Sequence, residues 1–592
     1  MTNEANEERI SVLMANEGTY PYVGGGVSTW CHILCENLKD IDWRVFAVVA
    51  EPYVTDNYNT EALPQVKERI IVPLWGFEEL AEYIDTRPFR DVFMSKRNTT
   101  EDAIVEHFMP LFEKLMLALE SEDIYMGEAG RTIHRLYLYF QKYDYITTMK
   151  SRPVWTFFRD FSLKIVDNNE ALRRAPPSLF DITTCLRWLY NMFVPIAAYV
   201  PDTTITHATI AASSATACIV SKFEYATPMV LTDHGVYARE RYIACSSAPF
   251  GLFAKRFLAR LALLFSRLSY YYADVIAPCA HFNARWELPL GCVLPREEPI
   301  DFSDWDNTGI VPSLQSFPFI EPTYDSLVDL ELMPPYSPTT QFPWIRTIYN
   351  GVDTERFKPG PKPEKWQGIP TCVALARVFP LKDVHTMIKS CAVAKKRVPN
   401  VKYIVYGSLK ADPPYVAGCN ELIESLSLQE NFSLAGYHSK PNEAFWEGDI
   451  SVLSSISEGF PFTVLESMAA GVPVVGTDVG GVKEGIGTGK EACGIVVPPR
   501  NPEAFGEAVA QLLTDDRLRS ELARKSRERI LRLFQTSTSV DAYAETYRRL
   551  ADIKRERFER LQAERLQAKS TRGGTPAGQT ELAADRLQDK SN

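Results

Sequence analysis

Short apolar runs recur along this chain, each followed by a glycine- or proline-bearing turn and then by apolar positions at helical spacing. That alternation predicts parallel strands joined by helices. Residues 10–15 read as a first buried strand, residues 16–30 as a glycine-bearing turn leading into a helix to about Lys39, and residues 44–50 as a second strand. Residues 53–200 read as mainly helical, with aromatic stripes such as Leu136-Tyr137-Leu138-Tyr139-Phe140 that suit a core. The strand-helix pattern resumes at 204–208, with a small-residue helix to about Phe223 and a further strand from Pro228 that ends at about His234. Residues 252–272 predict one long helix, then a strand over 273–277. That helix carries Lys255, Arg256, Arg260 and Arg267. It could lie on an anionic membrane surface, but an apolar stripe favours inward packing with solvated arginines.

Residues 347–353 predict a strand ending in an Asn-Gly turn. Regular alternation follows: strands at 371–376, 401–406, 432–438 and 450–453, helices from Asp383 and near 421–426, a two-turn helix from about Thr463, a strand from Pro473, and helices to about Arg560. Two segments break the pattern. Residues 297–343 hold nine acidic residues, no Lys or Arg and many prolines, which suits a loosely packed insertion, and the chain from Lys569 is Gly, Ser, Thr and charge.

Length and composition bound the rest. A chain of 592 residues exceeds one ordinary core, so two domains or more are expected. With 45% hydrophobic and 23% charged residues it reads as a globular enzyme, and a net charge of −11 argues against nucleic acid as a partner. The eleven cysteines contain no C-x-x-C, which suggests neither a disulfide framework nor a zinc site and fits a cytoplasmic setting. The polar, acidic start carries no signal-peptide pattern and the longest apolar runs are too short for a span. No clustered Asp/His ligand set is present, so no metal or other cofactor is expected.

The chemistry concentrates in 457–475. Glu458 falls in the turn after the 450–453 strand and Glu466 on the following helix, so both carboxylates can face the crevice at the strand ends. Thr463-x-x-Glu466 equally fits a capping box, in which Glu466 would bind only backbone. Arg377 and Lys382 flank the turn before the helix from Asp383, where two cations suit a diphosphate, or are merely solvated charges. Gly25 and Gly26 precede a helix start and could admit a phosphate, or form a plain turn. A dinucleotide fingerprint would need glycine where Thr29 stands, yet Glu51 sits where a ribose-binding acid could be, which keeps a nicotinamide enzyme in view. His207 and His234 end successive strands and point toward one crevice, although a lone His there is more often structural.

The stretch 457–475 resembles the E-x7-E signature of the retaining glycosyltransferases of family 4, which have the GT-B fold. The Glu17-Gly18-Thr19-Tyr20-Pro21-Tyr22 opening, the Gly25-Gly26-Val27-Ser28 loop, His207 and the stretch from Thr232 to Arg241 narrow the likeness to the group around the Pel exopolysaccharide glycosyltransferase. The resemblance implies two Rossmann-like doubly wound domains facing across a cleft: an acceptor-side domain over 1–346 with a helical insertion at about 53–200 and the acidic one at about 294–343, a nucleotide-sugar domain over 347–536, a helix over 537–560 returning to the first domain, and a disordered tail over 561–592. It implies hexosyl transfer from a nucleotide-diphosphate sugar, a UDP-sugar, to a glycan acceptor in polysaccharide synthesis, at or near the cytoplasmic membrane face and in contact with a membrane synthesis complex. Arg377 and Lys382 would bind the diphosphate, Glu466 the ribose and Glu458 the hexose. Gly459, Phe460 and Pro461 would shape the pocket, Gly25 and Gly26 close it, Tyr437 and His438 hold the base, and His234 stand beside the sugar, with His207 part of the same site. The acidic insertion departs from the family pattern and puts shared partners in doubt. A nucleotide-sugar epimerase and a non-catalytic scaffold are the rival readings.

Overall fold

The computed structural model describes residues 9–18, 20–22, 24–52, 54, 63–75, 87–120, 126–290 and 344–571. The acidic insertion and the last part of the tail lie outside the described residues.

Two fully parallel sheets carry the fold. The first contains β1 (Ser11–Glu17), β2 (Asp42–Val49), β3 (Val66–Pro73), β4 (Ile205–Ala208), β5 (Met229–Leu231), β6 (Val275–Ile276) and β7 (Trp344–Ile345), in the order β3-β2-β1-β4-β5-β6-β7. Side chains alternate across it as the pleat requires. Leu13, Ala15, Phe46 and Val48 face a core shared with the helical block, while Val12, Met14, Val45 and Ala47 face a second core. The helix Leu252–Tyr272 buries Phe253, Phe257, Leu261, Leu264, Phe265 and Leu268 in the first of these. Its apolar stripe packs inward as its pattern predicts, and Arg256 is ion-paired to Glu120 (2.6 Å) rather than solvated. No helix among the described residues is long and apolar enough to cross a membrane.

The second sheet contains β8 (Thr371–Leu375), β9 (Lys402–Tyr406), β10 (Phe432–Gly436), β11 (Ile450–Leu453), β12 (Val474–Thr477) and β13 (Gly494–Val497), in the order β10-β9-β8-β11-β12-β13. The strand order reverses between β8 and β11, and a crevice opens at such a switch point beyond the carboxyl ends of the strands. The turns carrying Arg377, Lys382 and Glu458 are the two that leave β8 and β11.

The last helix, Thr536–Thr571, buries Val540, Tyr543, Ala544, Tyr547 and Leu550 against Val12, Met14, Trp30 and Trp43 of the first domain. The chain thus returns to where it began.

Three sequence expectations need correcting. The mainly helical segment 53–200 contains the edge strand β3, and among the described residues its first α-helix begins at Phe89. The strand expected over 347–353 does not form: β7 ends at Ile345, and the following residues cross between the domains with only Val352 bridged, to Gln535. The tail taken as disordered from 561 is helical as far as Thr571.

Candidate functional site

The turn after β11 and the turn after β8 are sewn together. Ser454 Oγ donates to the carbonyls of Lys382 (2.9 Å) and Asp383 (3.0 Å), and the Ile456 N–H donates to the Leu381 carbonyl (2.9 Å). Asp383 occupies the left-handed region at φ 43° and caps the helix Val384–Lys395 by accepting from the Thr386 N–H. These bonds present Lys382 and Glu458 to one another. Lys382 Nζ lies 2.5 Å from Glu458 Oε1, which also accepts from Ser455 Oγ at 2.5 Å. The pair is largely withdrawn from solvent, with the Lys382 side chain 21% and the Glu458 side chain 10% exposed. Arg377 is exposed and lies over the Phe379 ring at 5.2 Å, with no carboxylate partner among the described residues.

Glu466 resolves the ambiguity of its sequence. The helix Phe462–Ala469 starts one residue earlier than Thr463, with Pro461 at the N-cap and no side-chain cap bond, so the capping box does not form. Its carboxylate makes no hydrogen bond among the described residues. Burial pushes its pKa up to about 7, against a smaller opposing pull from Arg356. The first-turn N–H groups of that helix lack a side-chain acceptor, which leaves an anion-receptive end beside the pair.

The first domain closes over this turn. A Cβ on Gly459 would stand 1.8 Å from the His234 carbonyl, so only glycine admits the approach. A Cβ on Gly26 would lie 3.6 Å from the Phe462 ring, which brings the Gly25-Gly26 loop to the same helix start. Asn350 Nδ2 donates to the Phe460 carbonyl (2.8 Å), and Arg239 donates to Ser457 Oγ (2.6 Å). The Glu484 carboxylate of the second domain accepts the N–H groups of His281 (2.8 Å) and Phe282 (2.6 Å) at the start of the first-domain helix His281–Leu290.

His234 is half-buried against Trp30, ring centroids 4.6 Å apart, and its Nε2 is buried without a hydrogen-bond partner. Desolvation lowers its pKa to about 3, so the imidazole is neutral. His207 differs. It is fully buried, with Nδ1 2.6 Å from Tyr547 Oη and Nε2 2.8 Å from Thr232 Oγ1. Both nitrogens are taken by protein, so the expectation that it binds substrate is corrected: it fastens the returning helix beneath the cleft. Tyr437 is 83% exposed at the end of β10, and His438 packs edge-on against Tyr406 at 4.8 Å.

Two features escaped the sequence reading. Arg239 and Glu240 reach the turn from the first domain, and Glu240 feels the charges of Glu458 and Lys382. The Arg-Glu-Arg triplet was visible, but nothing in the sequence pairs it with a turn over two hundred residues away. Behind His234, Asp233 and Glu287 are both buried carboxyls: burial raises both, the Glu240 charge adds to the rise at Asp233, which reaches about 7, and the Asp233 charge adds to the rise at Glu287, while Tyr270 Oη donates to Asp233 at 2.5 Å. A lone Glu287 in a helix gives no such signal.

Residues 10–294 match a family described as a domain of unknown function, DUF3492, and residues 356–529 match the family Glycosyl transferases group 1. An exopolysaccharide phosphotransferase of Streptomyces coelicolor is 30% identical over 226 residues, covering 37% of this chain and 23% of that protein. A D-inositol 3-phosphate glycosyltransferase of Corynebacterium urealyticum is 26% identical over 229 residues, covering 36% of this chain and 53% of that protein. The chain therefore spans about half or less of the length of these curated relatives. The solved Anabaena HepE, crystallised with UDP and with UDP-glucose, superimposes with a TM-score of 0.51 at 12% identity, over 91% of this chain and 99% of that one. That likeness concerns the fold. The chain thus has the two-sheet GT-B architecture, within which residues 10–294 match the DUF3492 model and residues 356–529 the Glycosyl transferases group 1 model.

Proposed function

We propose that this chain is a retaining glycosyltransferase that moves a hexose from a UDP-sugar to a glycan acceptor in polysaccharide synthesis, with the kinship to family 4 and the Pel group that its motifs suggest. The observation that carries this reading is the Glu466 carboxylate, which makes no hydrogen bond among the described residues and lies on the helix Phe462–Ala469 that follows the Glu458 turn at the switch point. A ribose diol supplies the two donors it lacks. Arg377 and Lys382, with the open end of the Phe462–Ala469 helix, form a positive field for the diphosphate. When donor binds, Lys382 turns from Glu458 toward phosphate oxygen, and Glu458 becomes free to accept from hexose hydroxyls. Neutral His234, unable to add charge, offers Nε2 to the sugar from the acceptor side. The leaving phosphate takes the acceptor proton on the same face, so catalysis is mainly positioning and charge stabilisation. Tyr437 and His438 flank the base, and Gly25, Gly26, Gly459, Phe460 and Pro461 shape the enclosure.

The raised Glu466 gives this reading a pH signature. Its folded pKa, about 7, exceeds the carboxylate value, so ionising it costs the free protein stability as pH rises from the ordinary carboxylate range through about 7. The ionised form is the stronger acceptor for ribose. Affinity for UDP-glucose, whose diphosphate does not titrate in this range, is therefore expected to rise about tenfold between about pH 6 and pH 8. In Glu466→Gln the rise should vanish and affinity at the higher pH should fall by about 1.5–3 kcal/mol. Calorimetric titration across that range measures both, and a wild-type affinity flat with pH would remove Glu466 from the ribose.

A further inference from the structure

Away from the cleft turn, a second cavity of about 540 Å³ opens at the carboxyl end of β3. Its position matters. The Leu74 and Trp75 N–H groups extend the β3 ladder onto the carbonyls of Val49 and Ala50, each at 2.9 Å, so the cavity lies on the strand-end edge of the sheet that carries the cleft. β3 is two strands from β1 in the sheet, about 10 Å sideways.

Among the described residues three aromatic rings line it: Trp75, 41% exposed, with Trp155 and Tyr190, both half-buried. Asn191 lines it too, 95% buried, and its side-chain amide makes no hydrogen bond among the described residues. Ser151 Oγ, also in the lining, is buried and has no hydrogen-bond partner among the described residues. An amide with donors and an acceptor, beside a hydroxyl, left unpaired in a half-apolar wall, costs free energy unless a polyhydroxyl ligand completes it. At the mouth stand Lys150, 5.7 Å over the Tyr190 ring, and Arg187, both exposed and neither paired with a carboxylate among the described residues. Among the described residues the lining contains no acidic one, although the chain as a whole is acidic, with net charge −11.

We infer that this cavity is a distal subsite for an acidic oligosaccharide, in which Trp75, Trp155 and Tyr190 face sugar rings, Asn191 and Ser151 bond hydroxyls, and Lys150 and Arg187 meet the anionic substituents. The inference rests on the proposed glycosyltransferase reading, because a growing acceptor chain that leaves the cleft along the strand ends passes this point. The aromatic faces suit the apolar face of a pyranose. The two unpaired cations select charge, whether carboxylate or phosphate.

The test is calorimetric titration of the full-length protein with a tetragalacturonate, with maltotetraose and with inorganic phosphate, each with UDP present, and separately with UDP alone. Tetragalacturonate is expected to bind, maltotetraose at least about tenfold more weakly, and phosphate more weakly still. Trp155→Ala and the double variant Lys150→Ala/Arg187→Ala should each weaken tetragalacturonate about tenfold or more while leaving UDP affinity unchanged. Because Trp155 is half-buried, thermal melts accompany that variant, and the double variant changes only exposed side chains. Unchanged tetragalacturonate affinity in the double variant, equal binding of maltotetraose, or phosphate binding as tightly as the oligosaccharide would each overturn the assignment. Failure of UDP to bind the unmodified protein would instead strike the parent reading.

Discussion

Lys382→Ala is expected to lower turnover on a nucleotide sugar by about 10²–10³-fold, the usual cost of removing one preorganised group from developing negative charge. The substitution acts twice. In the free protein it leaves Glu458, with its side chain 10% exposed, holding only the Ser455 hydroxyl, and a carboxylate stripped of its cation in such a place is destabilising by roughly 2–3 kcal/mol once partial solvent access is allowed for. In the complex it removes the charge facing the diphosphate. Steady-state kinetics with thermal melts separates the two, because Lys382→Ala/Glu458→Gln should recover the stability and not the turnover. If the double variant recovered turnover as well, the lysine would be a structural partner alone.

Gly459→Ala should be comparably severe for a different reason. The new Cβ would fall 1.8 Å from the His234 carbonyl, and a contact of that length must open. Backbone stands on both sides, so no flexible side chain can swing away. The contact joins the domains and does not fill either core, so each domain should still fold and the melting temperature should change little. Turnover should fall on the order of 10²-fold, the typical penalty for an ångström-scale misplacement of reacting groups. UDP affinity, which depends on the second domain, should change far less. Parallel calorimetry and kinetics on this variant would check the split; equal losses in UDP binding and turnover would place the damage in the nucleotide pocket instead.

The second domain was the more legible in the sequence because its strands are short apolar runs bounded by turns, buried on both faces of a parallel sheet. The helix Leu252–Tyr272 was readable to the residue for a similar reason: one apolar stripe and a clear glycine stop before it. β3 was hidden because it is an edge strand. Its sequence Val66-Lys67-Glu68-Arg69-Ile70-Ile71-Val72-Pro73 exposes its first half, and its charges read as surface helix or loop. The capping box around Thr463 failed because Pro461 takes the N-cap position and moves Thr463 inside the first turn, a two-residue shift of the N-cap that spacing alone does not reveal. His207 and His234 occupy equivalent strand ends and looked alike. Their partners distinguish them: Tyr547, 340 residues away, and Thr232 take both nitrogens of His207, while His234 Nε2 has no hydrogen-bond partner among the described residues.

The proposed activity is group transfer at the 457–466 turn with the donor configuration kept. Its most direct test is proton NMR of the reaction of this protein with α-linked UDP-hexoses and an acidic oligosaccharide acceptor, reading the anomeric signal as UDP is released. The expected result is a new α-glycosidic signal growing in step with UDP. A β-linked product, a second nucleotide sugar formed by epimerisation, or no turnover of any UDP-hexose would contradict it.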